Sequence, residues 1–474
     1  MPDDNAHEHQ QNDAKTRDLT QGPVWRALTA MSAPMVAGIF AVLSVGVADA
    51  YFLGQLGSAP LAAVGFIYPV TAAITSLSIG LSAGANAALS QAIGRKDDET
   101  AVERLALHAT AMGLASSILV AIVFWLLGDH LFQLLGAGEA AMGEIREYMP
   151  WWAVSFPFLV TMMLINAIFR AHGHGGLSAA IMVLAAIFSG GLDPVLIYGW
   201  WIFPEMGTGG AALATAIGRI VAVVVSVWIA LARGYIRFDC QPAKKFLHSA
   251  KEITKVGGPA AFSNAINPAG MAAVTAAVAT LGETAVAGFG AATRVQSLAL
   301  VPLLALSSGI GPVVGQNWGA EKQDRARRAL WLCFGISVVY GLAAAGVLTA
   351  FAAPIAGLLT DGGEPQDYTA QYLRIVSWSF AGYGILVTAN AAVNARSKAV
   401  WSMSLSLARI GLVYLPFAWL GALTLGYSGI LFAAVAANLA AIWGALVIAK
   451  STGLLERDLP LVAAPADRLR AALG

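Results

Sequence analysis

Two aspartates lie inside apolar segments that are long enough to cross a membrane. Asp49 lies in FAVLSVGVADAYFLG, and Asp193 lies in IFSGGLDPVLIYG. A charged side chain at the centre of a spanning helix costs about 2.5–3.5 kcal/mol on insertion scales, so such residues usually have a functional role. A carboxyl group at this depth can take up and release a proton, or it can help to bind a cation. The sequence therefore predicts proton or cation chemistry within the membrane.

Two hydroxyl side chains accompany the aspartates. Ser189 precedes Asp193 by four residues, which places both on one face of a helix. Counted from the predicted outer ends of their helices, Asp49, Asp193 and Thr215 lie at similar depth in the outer half of the membrane. Hard cations prefer oxygen ligands, and burial together with a neighbouring carboxylate favours the protonated form of an acid. We therefore predict a cluster of Asp49, Ser189, Asp193 and Thr215 that handles H⁺ or Na⁺. The alternative is that either acid only caps or pairs structurally.

Other polar residues lie within apolar segments. Arg294, near mid-depth, is expected to face a cavity or a carboxylate, with a buried structural ion pair as the alternative. Arg219 and Arg409 are interpreted as structural or snorkelling residues. Four asparagines are predicted to line a cavity, with hydrogen bonding between helices as the alternative. These asparagines are Asn166, Asn264, Asn267 and Asn390.

The composition is that of a membrane protein. The chain has 474 residues, of which 58% are hydrophobic and 12% are charged, whereas soluble domains carry about 25% charged residues. The net charge of +1 does not suggest a nucleic-acid partner. Cys240 and Cys333 are too far apart in sequence for a metal or redox motif. No protease motif is present, and the sequence predicts neither an enzyme nor a bound cofactor.

Apolar segments of membrane length recur along the chain. A spanning helix needs about 20 mostly apolar residues, and twelve segments satisfy this requirement. They are 28–53, 60–88, 104–128, 148–170, 176–199, 209–232, 256–281, 284–314, 329–357, 372–394, 400–424 and 428–450. The predicted fold class is therefore an all-α integral membrane protein with twelve transmembrane helices.

The basic residues predict the orientation of these helices. With both termini in the cytoplasm, 23 of the 28 Lys and Arg residues lie in cytoplasmic tails and loops or at the helix ends beside them. Such a bias indicates an even number of spans with both ends inside. Residues 1–25 are predicted to be a disordered cytoplasmic tail, and residues 451–474 a second cytoplasmic tail.

The chain contains an internal repeat. A shift of 225 residues aligns Pro34 with Pro259 and Gly94 with Gly319, without a gap across the intervening segment. Both halves begin on the same side of the membrane, so they are parallel repeats, an arrangement found in rocking transporters. The predicted domains are an N-lobe at 26–232, a cytoplasmic loop at 233–255 and a C-lobe at 256–450. Neither aspartate has an acidic repeat partner, so the predicted acid chemistry is confined to the N-lobe.

Several motifs together resemble the multidrug and toxic compound extrusion (MATE) family over residues 25 to 450. They are Pro34, Asp49, the string SQAIG ending at Gly94, NAIFRAHG from Asn166, LDPVLIYG around Asp193, GGAALAT ending at Thr215, and GIGPVVGQNWGA from Gly309. The resemblance implies two six-helix lobes around a central cavity, and export of organic cations or other amphiphiles in exchange for H⁺ or Na⁺. It also implies that helix 1 bends at a hinge at Pro34.

The branch of the family can be predicted from the positions of the acids. Members of the NorM-like branch carry acids in helices 7 and 10, but here these helices read PAAFSNAINPAG and GILVTANAAVNAR. Asp49 and Asp193 match the DinF-like branch, as do Thr215 and an arginine at the position of Arg294. Ser189 replaces an asparagine of that branch, which weakens the match to a Na⁺ site.

The resemblance implies a multidrug efflux antiporter driven by a proton gradient, with Na⁺ at Asp49 and Asp193 as the alternative ion. Its expected partners are amphiphilic small molecules and the lipid bilayer. It is expected to act as a monomer in a bacterial inner membrane. A lipid-linked precursor flippase of the same superfamily is the alternative function, although such flippases tend to have fourteen helices and several cavity Arg or Lys residues.

Overall fold

The protein is helical throughout its described parts. The structure, a computed structural model, describes residues 16–200, 202–239, 243–360 and 362–456. The first half of the chain forms α1 (Val24–Leu56), α2 (Ser58–Arg95), α3 (Glu99–Leu134), α4 (Glu139–Ala171), α5 (Gly175–Ile197) and α6 (Gly207–Ala232). The second half forms α7 (Phe246–Ala279), α8 (Glu283–Ala299), α9 (Val301–Gly319), α10 (Gln323–Ala350), α11 (Ala352–Leu359), α12 (Gly363–Ile375), α13 (Phe380–Ala395), α14 (Ala399–Leu407), α15 (Leu415–Leu425) and α16 (Tyr427–Ser451).

Most of these helices can cross a membrane. In the described residues, 10 helical spans are long and apolar enough, and 11 if α8 and α9, which meet at a bend of 43°, form one span. The remaining predicted span corresponds to α7, in which Ser263, Asn264 and Asn267 lower the hydropathy. Large apolar side chains such as Trp125 and Trp228 are exposed on the outer surface of the bundle, as contact with lipid requires. The predicted all-α membrane fold is confirmed.

Two predicted boundaries differ from the structure. Helix α7 begins at Phe246 and not near residue 256, because its first turns are amphipathic: Ile253 is buried while Lys251 is exposed. Helix α1 begins at Val24. The connection between the halves is therefore shorter than the predicted loop at 233–255.

The prediction of a disordered tail is wrong for residues 16–23, which we call the N-terminal segment. Leu19 is buried, and its backbone amide donates a hydrogen bond to Gln316 Oε1 at 2.9 Å. Asn317 Nδ2 donates to the Leu19 carbonyl oxygen at 3.1 Å, and the Arg17 amide donates to the His172 carbonyl oxygen at 2.9 Å. One buried apolar side chain and satisfied backbone groups are enough to order this polar segment. Residues 1–15 and 457–474 lie outside the described residues.

The bundle has two distinct ends. The basic end holds Arg95, Lys96, Lys322, Lys398 and Lys450, which lie at helix ends or in the adjacent turns. The far end is the opposite end, where α1, α5 and α15 terminate.

At the basic end, the first helix of each half packs into the core of the other half. Leu28 of α1 is buried among residues of the second half, including Leu306 and Leu330. Ile253 of α7, which is the repeat partner of Leu28 under the 225-residue shift, is buried among residues of the first half, including Leu89. The two halves are therefore interlocked at this end.

Glycines allow the closest approach between the halves. A Cβ atom at Gly94 of α2 would overlap the carbonyl oxygen of Gln316, and a Cβ at Gly319 of α9 would overlap the carbonyl oxygen of Gln91. The two contacts are equivalent under the internal repeat, so only residues without a side chain fit at both positions. By contrast, Cβ positions at the far-end residues Gly54 and Gly282 have no atom within 4 Å.

Two glutamines make a matching pair of hydrogen bonds. Gln91 Nε2 donates to the carbonyl oxygen of Ala395, at the end of α13, at 2.5 Å. Gln316 Nε2 donates to the carbonyl oxygen of Ala171, at the end of α4, at 2.8 Å. Each glutamine thus reaches across to the other half. With the glycine contacts, these bonds close the basic end of the bundle.

Candidate functional site

The two aspartates predicted to carry the chemistry lie against each other. Asp49 lies near the far end of α1, and Asp193 lies near the far end of α5. Close packing of the two helices fixes their separation, since a Cβ at Gly38 of α1 would lie 3.1 Å from Ala179 Cα of α5. The carboxyl groups are within hydrogen-bonding reach of each other, and Asp193 has no accessible surface.

The carboxyl of Asp193 has no partner besides Asp49. Among the described residues, no amide or hydroxyl group donates a hydrogen bond to either of its oxygens. Two adjacent carboxylates repel each other, and burial adds a penalty for the charge on Asp193. A proton shared by the two acids would relieve the repulsion between them, leaving one negative charge on the pair.

An arginine and a tyrosine complete this cluster, which we call the acid site. Arg219 of α6 interacts electrostatically with Asp49, and its Nη1 donates a hydrogen bond to Ser155 Oγ at 2.6 Å. Tyr148 of α4 interacts electrostatically with Asp49, Asp193 and Arg219. The place of Arg219 in the acid site differs from the structural or snorkelling role that the sequence predicts for it, and no sequence pattern predicts Tyr148. The spacing of Thr215 and Arg219, one helical turn apart, was the available signal.

The two predicted hydroxyl ligands lie beside the acids. Ser189, one turn before Asp193, is buried against α6, where a Cβ at Gly218 would overlap its hydroxyl oxygen. Thr215 is half-buried on α6, one turn before Arg219. Neither hydroxyl donates to the aspartates in the described residues. The structure therefore brings Asp49 and Asp193 together and keeps Ser189 and Thr215 on the adjoining helix faces.

Three further predicted residues, Asn166, Pro34 and Arg294, are not part of the acid site. Asn166 of α4 is buried, and its Oδ1 receives no hydrogen bond from the described residues. Helix α1 continues through Pro34 as one helix from Val24 to Leu56. Arg294 is exposed on the face of α8 opposite to Gly288 and Ala292, which are buried; Gly288 packs against α12. No described carboxylate forms an ion pair with Arg294.

Of the three asparagines predicted to line the cavity in the second half, only Asn267 contacts an arginine in the described residues. Arg409 Nη1 donates to Asn438 Oδ1 at 3.0 Å, and its Nη2 donates to Asn267 Oδ1 at 2.7 Å. Nearby, Asn390 Nδ2 donates to Ser406 Oγ at 3.2 Å, while Asn264 Nδ2 donates to the Ala260 carbonyl oxygen of its own helix at 2.8 Å.

Arg409 is held by an irregular stretch of helix. Residues Ala408–Tyr414 form a π-helix between α14 and α15, and such insertions occur frequently at functional sites. The sequence predicts a structural or snorkelling role for Arg409, although neither its own helix nor predicted helix 7 contains an acid that could pair with it.

Comparison with known proteins agrees with this architecture. The family model described as MatE matches residues 34–195 and 259–420. A protein of Shewanella oneidensis named "FAD transporter" is 34% identical over 427 residues, covering 89% of this chain and 93% of that protein. The Staphylococcus aureus "Multidrug export protein MepA" is 24% identical over 435 residues, covering 90% of this chain and 94% of that protein.

Solved structures share the arrangement of helices. The crystal structure of an aspartate-to-asparagine variant of the Vibrio cholerae MATE transporter VcmN superimposes with a TM-score of 0.86 at 29% identity, covering 90% of this chain and 98% of that one. A multidrug resistance MATE family transporter in an outward-facing conformation superimposes with a TM-score of 0.85 at 25% identity, covering 92% and 98%. The duplicated match to the family model, together with a relative above 30% identity, assigns this chain to the MatE family of membrane transporters.

Proposed function

We propose that the chain is a secondary active efflux antiporter that exports amphiphilic, mainly cationic compounds from a bacterial cytoplasm in exchange for protons. The observation that carries the proposal is the contact between the carboxyl group of Asp49, which is half-buried, and that of Asp193, which is buried. A transporter that couples export to a proton gradient needs a group that is protonated on one side and deprotonated on the other, and this pair supplies it.

The arrangement of the halves supports alternating access. We take 26–232 and 256–450 as the two lobes, with the basic end and both termini in the cytoplasm, because cytoplasmic loops of membrane proteins carry an excess of Lys and Arg. The contacts at Gly94, Gly319, Gln91 and Gln316 then close the cytoplasmic side. This is the state in which substrate leaves to the outside, and an outward-facing relative has a similar shape.

In the proposed cycle, a proton from outside enters the acid site and is shared by Asp49 and Asp193, so that the one remaining negative charge is offset by Arg219. The shared proton changes the hydrogen-bonding demand on α1, α5 and α6, and α1 can bend at Pro34, where one backbone hydrogen bond is already missing. The change narrows the N-lobe cavity and expels the substrate. Release of the proton to the cytoplasm, after the lobes rearrange, resets the pair. Na⁺ bound by Asp49, Ser189, Asp193 and Thr215 is the alternative coupling ion.

The remaining predicted residues are assigned to the substrate cavity. Asn166 would contribute from the N-lobe, and four residues would contribute from the C-lobe, namely Asn264, Asn267, Arg294 and Asn390. The acids of the N-lobe favour the DinF-like branch, and we propose that the protein works as a monomer in the inner membrane. Export of drugs by relatives such as MepA supports the broad substrate class.

Export of a flavin nucleotide is a second candidate function. It is favoured by the name of the Shewanella oneidensis relative, "FAD transporter". It is also favoured by Arg409, whose hydrogen-bond partners among the described residues are neutral amide groups. A dinucleotide is amphiphilic and anionic, so it would need such a cation in the cavity.

The coupling ion can be identified in proteoliposomes. With the purified protein, an imposed ΔpH at constant Na⁺ is expected to drive ethidium movement against its gradient, because protonation of the acid site supplies the free energy. An imposed ΔpNa at constant pH is expected to drive none. Ethidium fluorescence is the measurement, and protein-free vesicles are the control. Transport driven by ΔpNa alone would replace H⁺ with Na⁺, and transport without either gradient would contradict antiport.

The orientation can be tested by cysteine labelling. In a Cys240→Ser background, which keeps only the buried Cys333, Glu205→Cys is expected to react with an impermeant maleimide added to intact cells. Lys96→Cys and Lys244→Cys are expected to react only in inverted membranes, because they lie at the basic end. All three positions are exposed in the structure. Labelling of position 96 or 244 from outside would reverse the assignment, and the Cys240→Ser parent measures background labelling.

A further inference from the structure

We propose that the second half of the protein contains an anion-binding site centred on Arg409, and that it takes the phosphate group of an amphiphilic molecule. The inference rests on the export function proposed above and adds a substrate class to it. Four helices contribute one polar or aromatic side chain each to this site, which we call the Arg409 site. They are Asn267 of α7, Tyr383 of α13, Arg409 of the π-helix and Asn438 of α16.

The Arg409 site lies deep within the bundle. Asn267 precedes the last residue of α7, Ala279, by 12 positions, and Arg409 follows the first residue of α14, Ala399, by 10. At about 1.5 Å per residue, these two side chains lie roughly 15–18 Å from the nearest ends of their helices. Tyr383 precedes the last residue of α13, Ala395, by 12 positions, and Asn438 follows the first residue of α16, Tyr427, by 11. All four therefore meet near the middle of the membrane, where an unbalanced charge is costly.

Among the described residues, no acid forms an ion pair with the guanidinium. The described acids between 256 and 456 lie at helix starts or in turns at the two ends of the bundle: Glu283, Glu321, Asp324, Glu364, Asp367 and Glu456. The partners of Arg409 are two amide oxygens and the ring of Tyr383, whose centroid lies 5.9 Å from the guanidinium carbon. Because these groups are neutral, they orient the guanidinium but do not balance its positive charge.

The guanidinium also has a donor to spare. Its Nε is buried and has no hydrogen-bond acceptor among the described residues. An arginine carries five N–H donors, and its planar fork matches the oxygens of a phosphate. Asn390, whose amide nitrogen bonds Ser406 three residues before Arg409, also has one polar atom, Oδ1, without a partner among the described residues. Unpaired polar atoms at this depth indicate that a ligand completes the hydrogen bonding.

The internal repeat shows that the second half has kept a cation and lost the acids. In the first half, Arg219 donates to Ser155 Oγ and faces Asp49. In the second half, Asn438 Nδ2 donates to Ser379 Oγ at 2.8 Å in the equivalent positions. The cation there comes from Arg409, which bonds Asn438 in turn. In the first half the arginine thus faces the carboxyl of Asp49, whereas in the second half the arginine is available to a ligand.

Flavins provide a matched pair of probes, since FMN is riboflavin with one added phosphate. In lipid-free dodecyl maltoside, the wild-type protein is expected to bind FMN about 10-fold or more tightly than riboflavin, because a charge-assisted hydrogen bond contributes roughly 1.5–3 kcal/mol. Arg409→Gln is expected to lower FMN affinity to that of riboflavin and to leave riboflavin affinity in place. Arg409→Lys keeps the positive charge but lacks the planar guanidinium, so its FMN affinity is expected to lie between those of the wild type and Arg409→Gln. Flavin fluorescence quenching is the measurement.

A surface variant and a folding check keep the experiment decisive. Arg374→Gln removes an exposed arginine of α12 and is expected to bind both flavins like the wild type. Each variant is first checked for monodispersity and thermal unfolding, and Arg409→Lys supplies the result if Arg409→Gln does not fold. Equal binding of FMN and riboflavin by the wild type, or parallel loss of both in the folded Arg409 variant, would overturn the proposal.

Two further arms separate the source of the phosphate and the proposed function. Phosphatidylglycerol is added to the wild-type protein with FMN bound: displacement of FMN identifies a lipid headgroup as the occupant, and persistence of FMN identifies a soluble substrate. Ethidium efflux by the wild type is measured in parallel. If efflux is absent while FMN is preferred, the efflux function fails and the anion site stands. If efflux occurs without any preference for FMN, the anion site fails alone.

Discussion

Asp49→Asn is expected to abolish gradient-driven efflux, reducing it to the rate of protein-free vesicles. An amide neither takes up nor releases a proton near neutral pH, so the Asp49–Asp193 pair loses the exchange that couples the gradient to export. The fold is expected to survive because asparagine has the shape of a protonated aspartate, and its amide can donate a hydrogen bond to Asp193, which otherwise has no donor. The measurement is dye efflux from proteoliposomes under an imposed ΔpH.

Two variants define the result for Asp49. Asp193→Asn is expected to impair efflux strongly as well, since it removes the other half of the shared-proton site. Asp129→Asn is the control: Asp129 is half-exposed at the far end and pairs with Arg146 at 2.9 Å, and exposed pairs of this kind contribute about 0–1 kcal/mol. Efflux at the wild-type rate in the folded Asp49→Asn protein would exclude the acid site as the coupling site.

Gly319→Ala is expected to suppress transport by preventing closure of the basic end. The added Cβ would overlap the carbonyl oxygen of Gln91, a backbone atom that cannot turn aside as a flexible side chain can. The halves must then separate near this point, which also stretches the bond from Gln91 to Ala395. We expect slow efflux together with faster labelling of Ser397→Cys by an impermeant thiol reagent in inverted membranes.

The control for this variant is another glycine on the neighbouring helix. Gly335 of α10 has no atom within 4 Å of its Cβ position, so Gly335→Ala is expected to leave transport and labelling unchanged and to stabilise the helix slightly. Gly94→Ala, the repeat partner, is expected to reproduce the Gly319→Ala defect. Normal transport and unchanged labelling in Gly319→Ala would show that the close contact is not required for closure.

The sequence could reveal the parts of the site that follow from periodicity and depth. Apolar length predicted the membrane-spanning helices, and the depth of Asp49 and Asp193 in separate helices predicted that they meet. The repeat aligned Gln91 with Gln316, yet their crossed bonds to Ala395 and Ala171 span the two halves and depend on how the lobes dock. The pattern of residues along a single helix does not show how the two lobes dock against each other.

The Arg409 site was missed for a related reason. Its partners Asn267 and Asn438 are separated from Arg409 by 142 and 29 residues, and their convergence depends on the rotation of each helix about its own axis. The π-helix at Ala408–Tyr414 changes that rotation by inserting one residue into the turn. A count of apolar residues does not detect such a change, so the arginine was taken for a structural or snorkelling one.

The N-terminal segment has a consequence for the energetics of the transport cycle. It bonds to His172 of one half and to Gln316 and Asn317 of the other, so it can make all of these bonds only while the basic end is closed. Each of these hydrogen bonds therefore stabilises the state with a closed basic end, relative to the open state, by a net of about 0.5–1.5 kcal/mol. Because 1.4 kcal/mol is about a tenfold change in an equilibrium constant, these few residues before the first helix act as a thermodynamic bias, setting how much of the transporter rests in one state before any ligand binds.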